Sequence, residues 1–424
     1  MLSVEEALEK ILGEISVLDA GPVPILEARG QVLTEDIYSS IDVPPLDNSA
    51  MDGFAVRASD TIGASRNSPR ILRVIDTVIA GGISSAVVTP GTAIRIMTGA
   101  PIPSGADAVI PFENTDDEPR KKQNSGDSIH EVSIFTPAEP GLNIRKAGES
   151  ISKGTLALAK GTVIRPAEIG LLASLGYPEV NVIRRPVVAI ISTGDELVEV
   201  GRPLPPGKIY DSNLYSIASL VKEYGCIPEI LGIAEDKEEA IAAKLEQARD
   251  ADMLVTTGGV SMGDYDMVKD ILERDGEIVF WKVRVKPGKP LAFGKLKGHN
   301  GRSIPHLGLP GNSVSCMVSF ELFVRPALMK MMGKKNFTKP FVEVVVEDNM
   351  INDSGRRLYN RAIVMRRNGH YYARLTGPQG SGILASMSRA NALVIIPEER
   401  QQVSRGEKLK ALMLDWNEAY NIDG

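Results

Sequence analysis

The 424-residue chain has only two cysteines, Cys226 and Cys316. Two thiols cannot build a disulfide framework or a cysteine-rich zinc site, so a reducing, cytoplasmic setting is expected. Histidine is equally scarce: His130, His299, His306 and His370 are scattered, without metal-ligand spacing. Aromatics make up 5% of the chain, too few for a surface built to stack single-stranded nucleic acid. Positive charge is not in excess. The net charge of −6 argues against a general nucleic-acid binder, but it leaves room for small anions at a locally basic site. No apolar run approaches the ~20 residues of a membrane span. The start, MLSVEEALEK, lacks the cationic and apolar segments of a secretory signal. A P-loop, GxxxxGKS or GxxxxGKT, is absent, which argues against a conventional ATPase. No Ser-His-Asp or Cys-His arrangement is suggested.

What is present reads as several folded domains. Hydrophobic residues are 43% and charged residues 24%, ordinary for globular protein, and one core rarely extends past ~250–300 residues. Leu8, Ile11, Leu12, Ile15 and Leu18 recur at helical spacing over 4–18, with Ser3 and Glu6 as a capping box. Over 31–180, short apolar runs such as ILRVIDTVIA, TAIRIM and AVIPF alternate with Gly, Pro, Asn and Asp. This predicts β structure with many turns, a polar loop at 120–128 and a short helix over 166–176. From Arg185 the pattern becomes βαβα. RPVVAIIST, PEILGIA, ADMLVTT, GEIVFWKVRV, PLAFGKL and IPHLGL read as strands. NLYSIASLVKEYG (capped by Asp211 or Ser212), DKEEAIAAKLEQAR (with Asp236 and Glu239 as a capping pair), DMVKDILER and SVSCMVSFELFVRPALMKMMG read as helices. That alternation predicts a doubly wound parallel sheet. After Gly333 short strands return, and Asn368-Gly369 marks a hairpin.

Ligands of open α/β sheets bind at the carboxyl ends of strands, so the loops STGDELVE (192–199), TTGGVSMGDYD (256–266) and LPGNSVS (309–315) are the candidates. Glycines followed by a helix start suit a phosphate or another oxyanion; each loop also reads as a plain βα turn. IVFWKVRVKPGKPLAFGKLKGH is sharper. Lys282, Arg284 and Lys286 share one strand face, Pro287-Gly288 turns Lys289 toward them, and no acidic residue intervenes. A site for a multiply charged anion competes here with a solvated edge strand guarded by lysines. Lys295 and Lys297 read as surface. Asp195, Glu196, Asp211, Asp236, Asp264 and Asp266 offer hard oxygens that suit Mg²⁺, although Asp211 and Asp236 also read as helix caps. In the front half PPLDNSAMDGFAV, RIMTGAPIPSGADAVIPFENT and GLNIRKAGES are unusually specified loops, with Arg145 and Lys146 as candidate anion contacts.

In order along the chain, PPLDNSAMDGFAV, IMTGAPIPSGADAVIP, NIRKAGE, STGDEL, DSN, TTGGVSMGDYD, FWKVRVKPGKPLAFG, LGLPGN and SMSRANALVIIP resemble the molybdopterin molybdenumtransferase family, which includes the E domain of gephyrin. The resemblance implies a multidomain α/β plus β protein. Its parts are a discontinuous helical linker domain (1–44 and 145–181), a β-rich insertion domain (45–144), a central doubly wound parallel α/β domain that binds molybdopterin (182–333) and a small C-terminal β barrel (334–424). It implies a cytoplasmic homodimer that inserts molybdate into adenylylated molybdopterin and releases AMP, with Mg²⁺. A molybdopterin adenylyltransferase and apo-molybdoenzymes are implied as further partners. Residue by residue it implies catalytic roles for Asp52, Thr98, Glu196, Asp236, Asp266, Lys282 and Lys286, and metal binding at Asp195, Glu196 and Asp266. Substrate binding falls to Ser192, Thr193, Gly194, Asp211, Gly258, Gly259, Ser261, Gly263, Lys289, Pro310, Gly311, Asn312, Ser313, Arg361 and Ser381. Two departures stand out: Ser313 replaces a family proline, and Ser150 replaces a frequent aspartate. A scaffold that clusters a peptide partner and a molybdopterin adenylyltransferase are the alternatives. The first would not need Asp52, Lys286 and Asp266 intact, and the second would not need the front and C-terminal domains.

Overall fold

The computed structural model describes residues 1–117, 130–259, 276–299 and 301–416, with backbone only for 276–281. The polar stretch 120–128, the helix read in DMVKDILER, and Ser261, Gly263, Asp264 and Asp266 lie outside the described residues. The chain divides into two compact units, one of Val23–Arg29 and Leu33–Val180, the other of Met1–Pro22, Gly30–Val32 and Asn181–Gly424.

The chain opens with helix α1 (Val4–Gly13), whose Ser3–Glu6 capping box forms as read. The helix ends at Gly13 and does not reach 18, because glycine is a poor helix former. Ile15 and Leu18 still reach the same core as Val4, Ala7 and Ile11, which is why the apolar period outlasts the helix.

In the 23–180 unit the turn-rich sequence builds a mixed five-stranded sheet. Its order is Ala108–Pro111, Gly53–Val56, Thr92–Ile96, Arg70–Val78, Glu131–Ile134. Gly53–Val56 is buried on both faces: Phe54 and Val56 join one core, Ala55 the other.

In the other unit the predicted α/β region forms a six-stranded sheet. Its strands are β1 (Val187–Thr193), β2 (Ile227–Ala234), β3 (Met253–Thr257), β4 (Gly276–Lys282), β5 (Pro290–Lys297) and β6 (Ser303–Leu309). Their spatial order is β2-β1-β3-β6-β5-β4. The first four run parallel, and β5 and β4 extend the sheet as an antiparallel hairpin. Both faces are covered. Along β1, Val188 and Ile190 enter one core while Ala189 and Ile191 enter the other, beside Ile241 and Leu245 of helix α3 (Glu238–Gln247). An ion pair with a buried carboxylate anchors the start of β1: Asp252 takes two bonds from the half-buried Arg184, at 2.6 and 2.5 Å, and a third from the Val187 N–H at 2.9 Å. Helix α2 (Asn213–Glu223) follows β1, and helix α4 (Ser313–Ser319) follows β6. The long helix expected after Ser313 is interrupted by a π-helical stretch, Phe320–Val324, before it resumes at Arg325–Met331. Pro326 is the cause: it has no N–H to donate and crowds the carbonyl one turn back, which a wider turn relieves.

The C-terminal strands Arg357–Arg367, His370–Leu375, Phe341–Val346, Lys408–Met413 and Ala392–Ile396 pair in that order, and the last returns to the first, closing a five-stranded barrel. Asn368 and Gly369, both at positive φ, make its first hairpin turn. Val285–Lys286 adds to this barrel in parallel to Arg357–Leu358. Among the described residues no helix is long and apolar enough to cross a membrane.

Gly53 has no room for a side chain, since a Cβ there would lie 2.0 Å from the Ile110 carbonyl oxygen. Gly53→Ala should destabilise this unit by more than about 2 kcal/mol, as overpacking against backbone does. Denaturant titration checks this; an unchanged midpoint would contradict the close strand approach.

Candidate functional site

The order β2-β1-β3 makes the carboxyl ends of β1 and β3 a topological switch point, where the sheet's connections diverge and a crevice opens. A small cavity of about 50 Å³ lies there. It is lined by Thr193, Glu196 and Leu197 from the loop after β1, by Ile209 to Asn213 leading into α2, by Thr257 and Gly258 after β3, and by Gly311 and Ser313 after β6. The three expected strand-end loops and the DSN run therefore meet in one place. Local bonds explain how. Leu197–Val198 pairs with Ile209–Tyr210, folding the loop after β1 back on itself. Asn213 Nδ2 donates to the Gly311 carbonyl at 2.7 Å, and the Gly258 N–H donates to the Leu309 carbonyl at 3.1 Å. Ser192 and Thr257 share a buried hydroxyl bond of 2.9 Å. Gly258, at φ +86°, must be glycine, because a Cβ would sit 2.5 Å from the Thr193 carbonyl oxygen.

Three oxygens around this cavity, Thr193 Oγ1, Asp211 Oδ2 and Asn213 Oδ1, are buried and have no hydrogen-bond partner among the described residues. A buried polar atom without a partner is costly, so these three atoms make the cavity a candidate ligand site. A larger cleft of about 780 Å³ lies between α1, the segment 321–341 and the C-terminal strands, and shares no lining residue with this cavity. Volume is thus a poorer guide here than the unpaired oxygens.

Asp211 Oδ1 caps α2 by accepting from the Leu214 N–H at 3.1 Å, and Oδ2 has no partner among the described residues. Asp236 does not cap α3. The cap position is Lys237, without a side-chain bond, and the Asp236 N–H donates to Asp195 Oδ1 at 3.1 Å. Partial desolvation, together with the nearby Asp195 and Glu196 charges, raises the Asp236 carboxyl above its ordinary range. Asp195, Glu196 and Asp236 thus form one acidic group, although no set of three metal-ligating side chains is poised to hold an ion among the described residues. Ser313 is the first residue of α4 rather than its cap, a place that Asn312 takes. The Ser313 hydroxyl lies 3.4 Å from that of Ser212. Pro310 is buried and Gly194 is enclosed beside Glu196.

The alternation read in the basic stretch holds: Lys282 and Arg284 are exposed and Lys286 is half-exposed, while Val283 and Val285 are fully buried. The stretch is not one strand. The β4–β5 hairpin closes through the Val283 N–H to the Lys289 carbonyl, and Val285–Lys286 leaves it to join the barrel. Lys286 approaches Asp353 at 3.5 Å, and Lys289 is exposed. The three lysines do not line the cavity. Gly288 packs on Ser315 and Ser319, so the basic turn flanks the helix whose first residue lines it. Lys295 is engaged elsewhere, with Glu14 at 2.5 Å. Arg361 lies fully buried inside the C-terminal domain, and the Ser381 carbonyl accepts from the Val314 N–H.

In the other unit Asp52 and Thr98 meet directly: Asp52 Oδ1 accepts from the Thr98 N–H at 2.7 Å and from its hydroxyl at 2.8 Å, and both residues are exposed. The three front motifs interlace, Asn48–Ser49 pairing with Ile144–Arg145 and the Ser49 N–H donating to the Ala100 carbonyl. Lys146 pairs with Asp47 at 2.8 Å and, like Arg145, is exposed. Ser212 and Asn213 also line the cavity, and the DSN run before a helix is their signal in the sequence.

Three family profiles match this chain: "MoeA N-terminal region (domain I and II)" over residues 2–176, "Probable molybdopterin binding domain" over 189–330 and "MoeA C-terminal region (domain IV)" over 343–414. Fold and site thus define a transferase of molybdenum cofactor biosynthesis. Over 417 residues the chain is 38% identical to molybdopterin molybdenumtransferase 2 of Mycobacterium tuberculosis, covering 97% of this chain and 99% of that one. It is 37% identical to the molybdopterin molybdenumtransferase of Haemophilus influenzae, covering 96% and 97%. Among solved structures, the molybdopterin biosynthesis MoeA protein of Pyrococcus horikoshii superposes with a TM-score of 0.76 at 34% identity, covering 97% of this chain and all of that one. The chain belongs to the molybdopterin molybdenumtransferase family.

A carboxyl whose folded pKa is raised binds its proton more tightly when folded, so it lowers stability once pH climbs past its unfolded value. Asp236→Asn should therefore raise the Tm at pH 7, with the gain shrinking as pH falls and vanishing below about 4, where both states are protonated. Thermal melts across that range check the sign; a gain that grows on acidification would refute it.

Proposed function

We propose that this chain inserts molybdate into adenylylated molybdopterin and releases AMP. The observation that carries the reading is the meeting of Thr193 Oγ1, Asp211 Oδ2 and Asn213 Oδ1, buried and without a partner among the described residues, around the cavity at the carboxyl ends of β1 and β3. A pterin ring carries N–H donors that would satisfy them. Ser192, Thr193, Gly194, Asp211, Gly258, Gly259, Pro310, Gly311, Asn312 and Ser313 hold the pterin nucleotide, with Ser261 and Gly263 added from the segment after β3. The basic turn supports the anionic half of the reading. Lys282, Lys286 and Lys289 flank a turn whose Gly288 packs on α4, in a protein of net charge −6, and in this reading they neutralise molybdate and the phosphates and offset the charge that develops as the phosphoanhydride breaks. Glu196 and Asp236 position water and the leaving phosphate; the raised Asp236 carboxyl suits a group that exchanges a proton.

Hard carboxylate oxygens beside phosphates suit Mg²⁺, which commonly takes one or two carboxylates and completes its shell with phosphate and water. The lack of a ready three-residue cage among the described residues fits that mode. Asp195 and Glu196, with Asp266, would hold the ion, which supplies charge neutralisation at the phosphates. The chain acts as a cytoplasmic homodimer, in which Asp52 and Thr98 of a second copy complete each site, and it meets a molybdopterin adenylyltransferase upstream and apo-molybdoenzymes downstream. Its parts are a linker domain (1–44 and 145–181), an insertion domain (45–144), the α/β domain (182–333) and the barrel (334–424).

Lys286→Ala should lower molybdate-dependent AMP release by about 10²–10³-fold, the cost of losing one preorganised charge, without changing the dimer seen by light scattering. Unchanged release would remove the basic turn from the mechanism. Heterodimers of Asp52→Asn with Lys286→Ala should recover about half of wild-type activity, since one of two shared sites is then intact. No recovery in confirmed heterodimers would refute sharing.

A further inference from the structure

We infer that Arg361 is a positioning residue: it sets the 311–314 turn of the strand-end site through the barrel loop 376–386 and does not need to touch substrate. The inference rests on the substrate-binding reading of that turn.

Arg361 is fully buried, and none of its partners among the described residues is a carboxylate. Its guanidinium instead grips one stretch of chain. Nε donates to Ser386 Oγ at 3.0 Å, one terminal nitrogen to the Gln379 carbonyl at 3.1 Å, and the other to the Pro378 and Gly380 carbonyls at 3.3 and 2.9 Å. The backbone joins in. Gln379 Oε1 accepts from the Arg361 N–H at 2.8 Å, and the Arg361 carbonyl accepts from Gln379 Nε2 and from Thr376 Oγ1, each at 3.2 Å. Burying a cation among dipoles alone is unfavourable. What the arrangement achieves is geometric: a rigid planar fork fixes three consecutive carbonyls, which a flexible point charge such as lysine cannot do.

The loop held this way reaches the site. The next carbonyl, of Ser381, accepts from the Val314 N–H at 3.1 Å, and a Cβ on Gly382 would lie 3.8 Å from Asn312 Oδ1. Val314 is the second residue of α4, so its N–H is one of the helix-start donors with no partner inside the helix. The barrel occupies that donor. It thereby fixes where Gly311 and Ser313 stand relative to Asn213 and Ser212 across the cavity.

The test uses the full-length chain, with backbone hydrogen exchange at Val314 read beside steady-state kinetics on adenylylated molybdopterin and molybdate. Arg361→Gln should speed Val314 exchange and raise KM for the pterin substrate, each by about tenfold as loss of one hydrogen bond implies, while kcat stays within about twofold and the β3 amides Leu254 and Val255 keep their protection. Gln379→Ala, half-buried and less disruptive, should shift both readouts the same way and carries the test if Arg361→Gln does not fold. Arg361→Lys should behave like Arg361→Gln; recovery of both readouts by lysine would overturn the fork argument. A raised KM with Val314 protection intact would overturn the positioning role and assign Arg361 to direct contact. Lost protection with unchanged KM would sink the substrate-binding reading of the turn, and this inference with it.

Discussion

The bond from Asn213 Nδ2 to the Gly311 carbonyl joins two loops nearly a hundred residues apart in sequence, and the candidate site depends on it. A parallel sheet buried on both faces sends all its strand ends to one edge, and only there do the backbone and side chains of separate loops meet without competing with the core. β1, β3 and β6 deliver Thr193, Gly258 and Gly311 to that edge in register, and Asn213 ties α2 to the loop after β6. Neighbouring bonds hold Thr193, Asp211 and Asn213 in this arrangement, and one oxygen of each is buried without a partner among the described residues.

Charge is distributed against the average of the chain. Acidic groups gather on the loops after β1 and β2, where partial desolvation, with the nearby Asp195 and Glu196 charges, disfavours ionisation of Asp236. The basic group sits on the β4–β5 hairpin, secured by the buried Val283 and Val285, by the Arg284 N–H to the Leu2 carbonyl and by pairing with the barrel. Holding like charges together lowers stability, and functional sites are where folds commonly accept this. The C-terminal barrel, closed and independently cored, touches both the basic stretch at Val285–Lys286 and the 311–314 turn through Ser381. It therefore links two segments on which the proposed chemistry rests.

Much of this was legible in the sequence. The Ser3–Glu6 box, the Asn368-Gly369 turn and the βα alternation after Arg185 depend on neighbours within a few residues, so local physics suffices to read them. The strand-end loops were legible because a parallel sheet places function at one edge whatever its details. The Asp236 cap failed because a nearby capping pattern cannot reveal that Asp195 takes the Asp236 N–H. The π-helical stretch before Pro326 and the partner of Lys146 were equally hidden, the latter because Asp47 is distant in sequence.

Sequence alone determined the element types, the glycine and proline positions that permit the turns, and the family, since these reside in residue identity and spacing. The tertiary structure decided which polar atoms remain unsatisfied, that Asp52 and Thr98 are bonded to each other, and that Arg361 is enclosed by the carbonyls of a single loop. The reason is physical. Hydrogen-bond satisfaction and desolvation are sums over everything that surrounds an atom, and most of those surroundings come from residues far away along the chain.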